Sequence, residues 1–411
     1  MENIAHPNKK NIFIWALYDF ANSIVFITFL LYFSKWLVVS RGLSDWWYNA
    51  IFIFGSIGLV FLAPWLGNKV DRSGQAKKYL SFSTFGCFCF YLLAGLSAIY
   101  GAPILWPVLF FGLGNFLYQI SFIFYNPLLS NITDDHSRGK ISGLGLLANY
   151  LGQIAGVLIS LLISARLAIS GLDPLVAPLI PASLIFIILS LPLIFSRGIF
   201  AKQNNLSSTP PLSQLELLKK IKNIPGLMLF MLAFFLFSDA LTTIINNFSI
   251  LTTNLFPVSD KQISILTLGI IIAAGIGAWL WGMISDKIGP KKSMIAVLIS
   301  WIILTPAISF TYNYPLYFGL IVVAGASLGG TFAISRQFFI LLTPKEILHY
   351  NFGLYAISER AATFVGPLLW SLALNLGNYR LATFSMVIFQ IMAVILILKI
   401  NNPKINLAHS L

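Results

Sequence analysis

The sequence predicts an all-α membrane protein whose twelve transmembrane helices form two six-helix bundles. Three observations lead there. Of 411 residues, 58% are hydrophobic and only 9% charged, whereas about a quarter of an average soluble domain is charged. Windows of about twenty residues give twelve apolar segments long enough to cross roughly 30 Å of hydrocarbon. A loop signature occurs twice, at equivalent points of the two halves.

The segments lie near 12–33, 47–66, 79–100, 104–125, 141–165, 178–196, 226–247, 262–281, 293–311, 315–335, 351–375 and 379–399. The first is not a signal peptide: it is long and aromatic, contains Asp19 and lacks a small-x-small cleavage site before Trp36. Gly325, Gly329 and Gly330 in the tenth segment read as close-packing positions. Trp36, Trp46, Trp47 and Trp106 fall where interfacial aromatic anchors are expected.

The net charge of +13 would suggest nucleic acid in a soluble protein. With twelve spans and an internal amino terminus, however, twenty Lys and Arg residues fall on the inner side, five on the outer, and Arg360 within a span. That asymmetry places both termini in the cytoplasm and accounts for the charge without nucleic acid. Cys87 and Cys89 stand two apart on one helix and cannot pair with each other. The four histidines lie outside the spans, and no Cys, His and carboxylate cluster has metal-ligand spacing. No phosphate-binding G-x-x-x-x-G-K-[ST] loop occurs. No metal and no cofactor are expected.

GNKVDRSGQAKK, Gly67 to Lys78, and GMISDKIGPKK, Gly282 to Lys292, both fit G-x-x-x-D-[RK]-x-G-x-x-K, their first glycines 215 residues apart. A second echo joins Ser142–Gly156 to Phe352–Gly366, with Gly143 matching Gly353 and Gly156 matching Gly366 at an offset of 210. The chain therefore reads as a duplicated six-helix unit: an N-terminal bundle over 1–200, a cytoplasmic linker over 201–225, a C-terminal bundle over 226–402 and a tail over 403–411. In the linker, Leu212 to Ile224 reads either as an amphipathic helix on acidic lipid or as a solvated basic stretch.

Polar residues inside the spans are costly and usually functional. On a helix, residues three, four and seven apart share a face. Asp19, Asn22 and Ser23 form one polar stripe on the first span, and Asp239, Thr242, Thr243 and Asn246 form another on the seventh, the first of the second half. Two aspartates at related places of two repeats suggest a substrate or coupling site near the midplane. Asn115 and Gln119 on the fourth span and Asn149 and Gln153 on the fifth add amide donors and acceptors; bridging between helices is the alternative for them. A buried aspartate can be carried as the neutral acid, which suits it to proton coupling. Glu359 and Arg360 point about 100° apart on the eleventh span. Arg360 is a candidate partner for a substrate carboxylate, for Asp19 or Asp239, or for a neighbouring helix.

Over its whole length the chain resembles the major facilitator superfamily: two six-span bundles, a basic linker and the repeated loop signature. W-A-L-Y-D-F-A-N-S at Trp15 to Ser23, R-G-K-I-S-G-L-G at Arg138 to Gly145, and F-G-L-Y-A-I-S-E-R…G-P from Phe352 to Pro367 are similar to its vacuole-effluxer-like subfamily. The fungal members of that subfamily are autophagy-related amino-acid exporters. The resemblance implies that Gly67, Asp71, Arg72 and Gly74, with Gly282, Asp286, Lys287 and Gly289, form cytoplasmic latches, each aspartate meeting a neighbouring helix amino terminus and a basic residue. Arg138 is the expected partner of Asp71. Gln75 and Pro290 depart from the usual signature and make each latch less charged.

The function expected is secondary active transport by alternating access, moving a small polar metabolite, with amino acids or peptides leading by resemblance and protons as the coupling ion in export. An exporter of amphipathic drug- or siderophore-like compounds is the alternative within transport, favoured by the aromatic first half. A non-transporting receptor or scaffold is the alternative of another class, and an enzyme is not expected. The expected setting is a bacterial inner membrane, the expected state a monomer, and the partners a small-molecule substrate and the lipid bilayer.

Overall fold

The structure, a computed structural model, describes residues 8–43, 45–167, 172–196, 198–200, 222–361 and 365–401. All regular elements among them are helices: α1 Lys9–Thr28, α2 Asp45–Ser73, α3 Ala76–Ile99, α4 Leu105–Tyr125, α5 Arg138–Leu167, α6 Leu179–Phe195, α7 Leu227–Leu255, α8 Asp260–Ile288, α9 Pro290–Phe310, α10 Tyr314–Leu342, α11 Leu348–Ala361, α12 Val365–Leu376, α13 Tyr379–Ser385 and α14 Val387–Leu398. Short helical turns supplement them.

Local chemistry sets several boundaries. Asn8 accepts from the Lys10 N–H to start α1, and Ser259 and Gln262 cap α8 reciprocally. After Thr28 the first helix continues in widened turns through Ser40, with the Arg41 N–H bonded five residues back to Trp36. Gly74 (φ +63°) and Gly289 (φ +90°) end α2 and α8 in the left-handed region, which suits a residue without Cβ. The two motif glycines thus share one backbone role.

Nine helices among the described residues are long and apolar enough to cross a membrane, and they cover nine of the twelve expected segments. Of the other three segments, 47–66 lies within α2 and 178–196 coincides with the shorter apolar α6. The segment 351–375 is two helices, α11 and α12. Pro367 occupies the first turn of α12, where a missing N–H costs no helical bond. The linker from 201 to 221, with most of the proposed amphipathic helix, lies outside the described residues.

Contacts divide the chain into two compact units. The first comprises Met1–Ile132, Ala148–Pro210 and Glu346–Leu354; the second, Thr133–Leu147, Pro211–Lys345 and Tyr355–Leu411. In the first unit α3 packs on α4 and α6, α1 on α6 and α2 on α4. In the second, α9 packs on α10 and α14, α7 on α14 and α8 on α10. The duplication seen in sequence is therefore also a duplication of packing. Lys77 and Lys291, each at the start of the helix after a motif, donate to carbonyls at the ends of α6 and α14, Ser196 and Leu398, both at 3.1 Å.

Close approach of backbones holds the second unit together. A Cβ on Gly329 would overlap the Ala274 carbonyl and one on Gly277 the Ala326 carbonyl, so α8 and α10 meet through small residues, as helices in lipid do. In the first unit Phe29 stacks on Tyr91 at 4.3 Å and Phe33 lies 4.8 Å from Phe111. Trp36, expected at the interface, instead joins this buried cluster 5.6 Å from Phe33. Widening of the helix beyond Thr28 changes the register of its faces. Trp106 is half exposed, as an anchor would be; the side chains of Trp46 and Trp47 lie outside the description.

Candidate functional site

The first-span motif divides its residues between two faces. Trp15 and Tyr18 dock on the helix bundle: the Tyr125 hydroxyl donates to the Trp15 carbonyl at 2.9 Å, the two rings stack at 5.1 Å, and the Tyr18 hydroxyl is 2.7 Å from Thr84 Oγ1. Asp19 meets α5. Its Oδ1 accepts from Asn149 Nδ2 at 2.9 Å, and Asn149 Oδ1 accepts from Gln153 Nε2 at 2.8 Å. The Ser23 hydroxyl donates to the Asp19 carbonyl at 2.9 Å. Gly152 and Gly156 permit this, because a Cβ on either would crowd the α1 carbonyls of Phe20 and Ile24. The product is an aspartate only 2% exposed at the end of an oriented amide chain. Such a chain directs N–H donors at the carboxylate and can reorganise when the acid gains a proton.

Asn22, Asn115 and Gln119 are also buried in the first unit. Asn115 Nδ2 and Gln119 Oε1 have no protein hydrogen-bond partner among the described residues, whereas Asn22 lies beside the Tyr18 hydroxyl. Buried amides of this kind invite a polar ligand or water.

In the second unit Asp239 occupies a different setting. Its Oδ2 accepts from the Gly366 N–H at 2.6 Å, so it caps α12 at the positive end of that helix. Gly366 must lack a Cβ there, since one would overlap Thr243 Oγ1 and lie 2.8 Å from Asp239 Oδ1. Asp239 Oδ1 and Thr243 Oγ1 are buried without a hydrogen-bond partner among the described residues. Asn246 and Glu359 are exposed, and the Arg360 side chain lies outside the description.

The two loop signatures build matching caps. Asp71 accepts from the His349 N–H at 3.0 Å and the Tyr350 N–H at 2.8 Å, at the start of α11. Asp286 accepts from the Gly139 N–H and the Lys140 N–H, both at 2.7 Å, at the start of α5. Gly67 and Gly282 let these helix starts approach, because a Cβ on either would overlap the carbonyl of His349 or of Gly139. Gly353 against Ala63 and Gly143 against Ala278 repeat the device one turn deeper. Each aspartate thus satisfies two helix-end donors that have no intrahelical partner.

The basic residues behave otherwise than expected. Arg72 and Lys287 are exposed. Arg138 pairs with Asp135 at 2.7 Å and bonds Thr133 Oγ1 at 3.3 Å. It does so in place of the expected Asp71, whose oxygens are taken by α11. Beside this arginine, burial pulls the Asp134 carboxyl upward, but bonds from the Ser137 hydroxyl and N–H, with the charges of His136 and Arg138, hold it below its ordinary value.

Sequence reasoning missed several members of these caps. His349 Nδ1 lies 2.6 Å from Asp71 Oδ1. Gln337 donates to Asp286 at 3.0 Å, and buried Arg336 binds the Ser142 carbonyl at 2.8 Å. Extending the 210-residue offset back by four positions would have matched Gly139 and Lys140 with His349 and Tyr350. Arg336 looked like one more internal charge.

A family profile described as "Vacuole effluxer Atg22 like" matches residues 56–406. The uncharacterized MFS-type transporter YxiO of Bacillus subtilis is 24% identical over 407 residues, covering 93% of each chain. Autophagy-related protein 22 of Kluyveromyces lactis is 28% identical over 193 residues, 43% of this chain and 39% of its own length. Among solved structures, the major facilitator superfamily transporter FucP in its outward conformation superposes with a TM-score of 0.72 at 15% identity, covering 94% of this chain and 97% of its own. At that identity the likeness is one of fold.

Proposed function

This chain belongs to the vacuole effluxer Atg22-like family, and from that premise we propose that it exports small polar metabolites, amino acids or short peptides, by proton-coupled alternating access. It is a membrane transporter of the major facilitator type, not an enzyme. The observation that carries the coupling is the buried Asp19 at the head of the Asn149 and Gln153 chain. Burying a carboxylate in lipid is costly, and the amide chain gives it somewhere to pass the change in hydrogen bonding when it is protonated.

The buried amides of Asn22, Asn115 and Gln119 support a polar cargo. The aromatic residues of the first half, which would favour amphipathic compounds, stack into a buried core and are occupied in packing. Asp71 and Asp286, with the helix starts they cap, serve in this reading as latches whose making and breaking accompanies the change of access. Asp239 is the second coupling candidate in this reading, with Thr243 beside it, and the excess of Lys and Arg on one side supports twelve spans with both termini in the cytoplasm of a bacterial cell.

Two measurements test this. A thermal-shift screen of the purified protein against amino acids, short peptides and lipophilic drugs should show stabilisation by the first two classes, by about 2.7 kcal/mol at a hundred times the dissociation constant. Stabilisation by lipophilic compounds alone would replace the cargo assignment. Reporter fusions at Gln203 and Leu411 should both report from the cytoplasm, and an external signal at either would overturn the topology.

A further inference from the structure

The two caps share their backbone bonds but not their side chains. At an offset of 210, Gly139 corresponds to His349 and Lys140 to Tyr350, and in each unit the paired N–H groups meet the aspartate at 2.7 to 3.0 Å. Where the second unit has a glycine without a side chain, the first has an imidazole. His349 Nδ1 stands 2.6 Å from Asp71 Oδ1, with both side chains nearly buried. The side-chain donor to Asp286 is instead the amide of Gln337 at 3.0 Å, which does not titrate.

We infer that the cap of the first unit is a proton-sensitive latch, in which protonation of His349 tightens the hold of Asp71 on α11, while the aspartate of the second cap has an amide where the first has an imidazole. The inference rests on the latch reading of these caps. Histidine ordinarily titrates between pH 5 and 8. A neutral imidazole already donates one bond to Asp71; an imidazolium makes that bond charge-assisted and adds attraction between opposite charges. Among the described residues, few charged or titratable groups stand near the two helix ends that meet here. From α2 come Asp71 itself, the exposed Arg72, and Lys69, which lies over the rings of Trp65 and Tyr79 at 5.0 and 5.9 Å. On its own side stand Tyr350 and the exposed Lys345 and Glu346. Asp71 is in direct contact with the ring at 2.6 Å, so a proton on His349 acts on the latch. Acidification on the side of the latch then slows its release, restraining transport when protons are abundant there.

Spin labels at Gln75→Cys and Glu346→Cys, both exposed and both within the first unit, report latch closure as a distance, with Cys87 and Cys89 replaced by serine. The ratio of closed to open populations should rise about fivefold from pH 8 to pH 6, the difference between an ordinary and a charge-assisted bond. His349→Asn keeps a donor near the Nδ1 position and should remain closed with a flat pH profile, whereas His136→Gln should keep the full response. A pH response that survives His349→Asn, or its absence from the parent, would overturn the inference. Asp71→Asn should lower closure at both pH values; if it does not, the latch reading itself fails, a separate outcome. Should His349→Asn fold poorly, the imidazole resonance of His349 in the parent decides: its chemical shift must differ between pH 8 and pH 6 and move on Asp71→Asn, and a resonance that does neither refutes the proposal.

Discussion

Asp19→Asn is expected to fold, insert and exchange labelled substrate in the absence of a gradient, yet to lose proton-driven accumulation, so that the internal and external substrate levels become equal. The substitution preserves size and hydrogen-bonding capacity, and Asn149 can rotate its amide to meet the new side chain. What disappears is the ability to alternate between charged and neutral forms. Reconstituted vesicles with an imposed pH gradient separate three cases. Loss of accumulation with exchange intact is the coupling role. Loss of both means that Asp19 binds a cationic group of the cargo. A lowered melting point with transport per folded molecule unchanged means that the aspartate only joins α1 to α5 through Asn149. Full accumulation by a well-folded Asp19→Asn protein would remove Asp19 from the coupling step.

Asp71→Asn and Asp286→Asn are expected to shift the resting conformation by roughly 30- to 150-fold in population while leaving affinity within a given state little changed. Each carboxylate accepts two backbone N–H bonds at a helix start. Asparagine keeps one acceptor oxygen and turns an NH2 group toward the other N–H, losing the charge that favours a helix amino terminus, at a cost of about 2 to 3 kcal/mol. Asp286→Asn also disturbs the bond from Gln337. Accessibility labelling from each side of the membrane reads the shift. Unchanged labelling in both mutants would mean that the caps hold their helices in every state and are not latches.

The sequence made much of this legible because membrane solvation is so restrictive. In lipid, backbone groups must be satisfied within the segment, so long apolar runs become helices, and nine such runs recur among the described residues as helices long enough to cross. The glycine echoes were readable for a similar reason: Gly143 and Gly353 each face a carbonyl of a neighbouring helix, and Gly156 and Gly366 a side chain of one, where a Cβ would not fit. Trp36 was less legible. Its distance from the helix start suggested an interface, but widened turns bring it into the core, and turn width depends on neighbours that a local window does not contain.

By itself the sequence determined the helical membrane class, the duplication, the two aspartates within spans and the two loop signatures, since each is fixed by composition or by spacing along one chain. The tertiary structure alone decided what those residues meet. Asp71 finds its donors 278 and 279 residues away and Asp286 finds its own 147 and 146 residues away, so each signature caps a helix start supplied by the other half of the sequence. Asp19 receives an amide and Asp239 a helix end, although both stand on the first helix of their half. A carboxylate takes whatever donor its packed neighbours present within about 3 Å, and which helix presents it is set by the packing of small residues far along the chain.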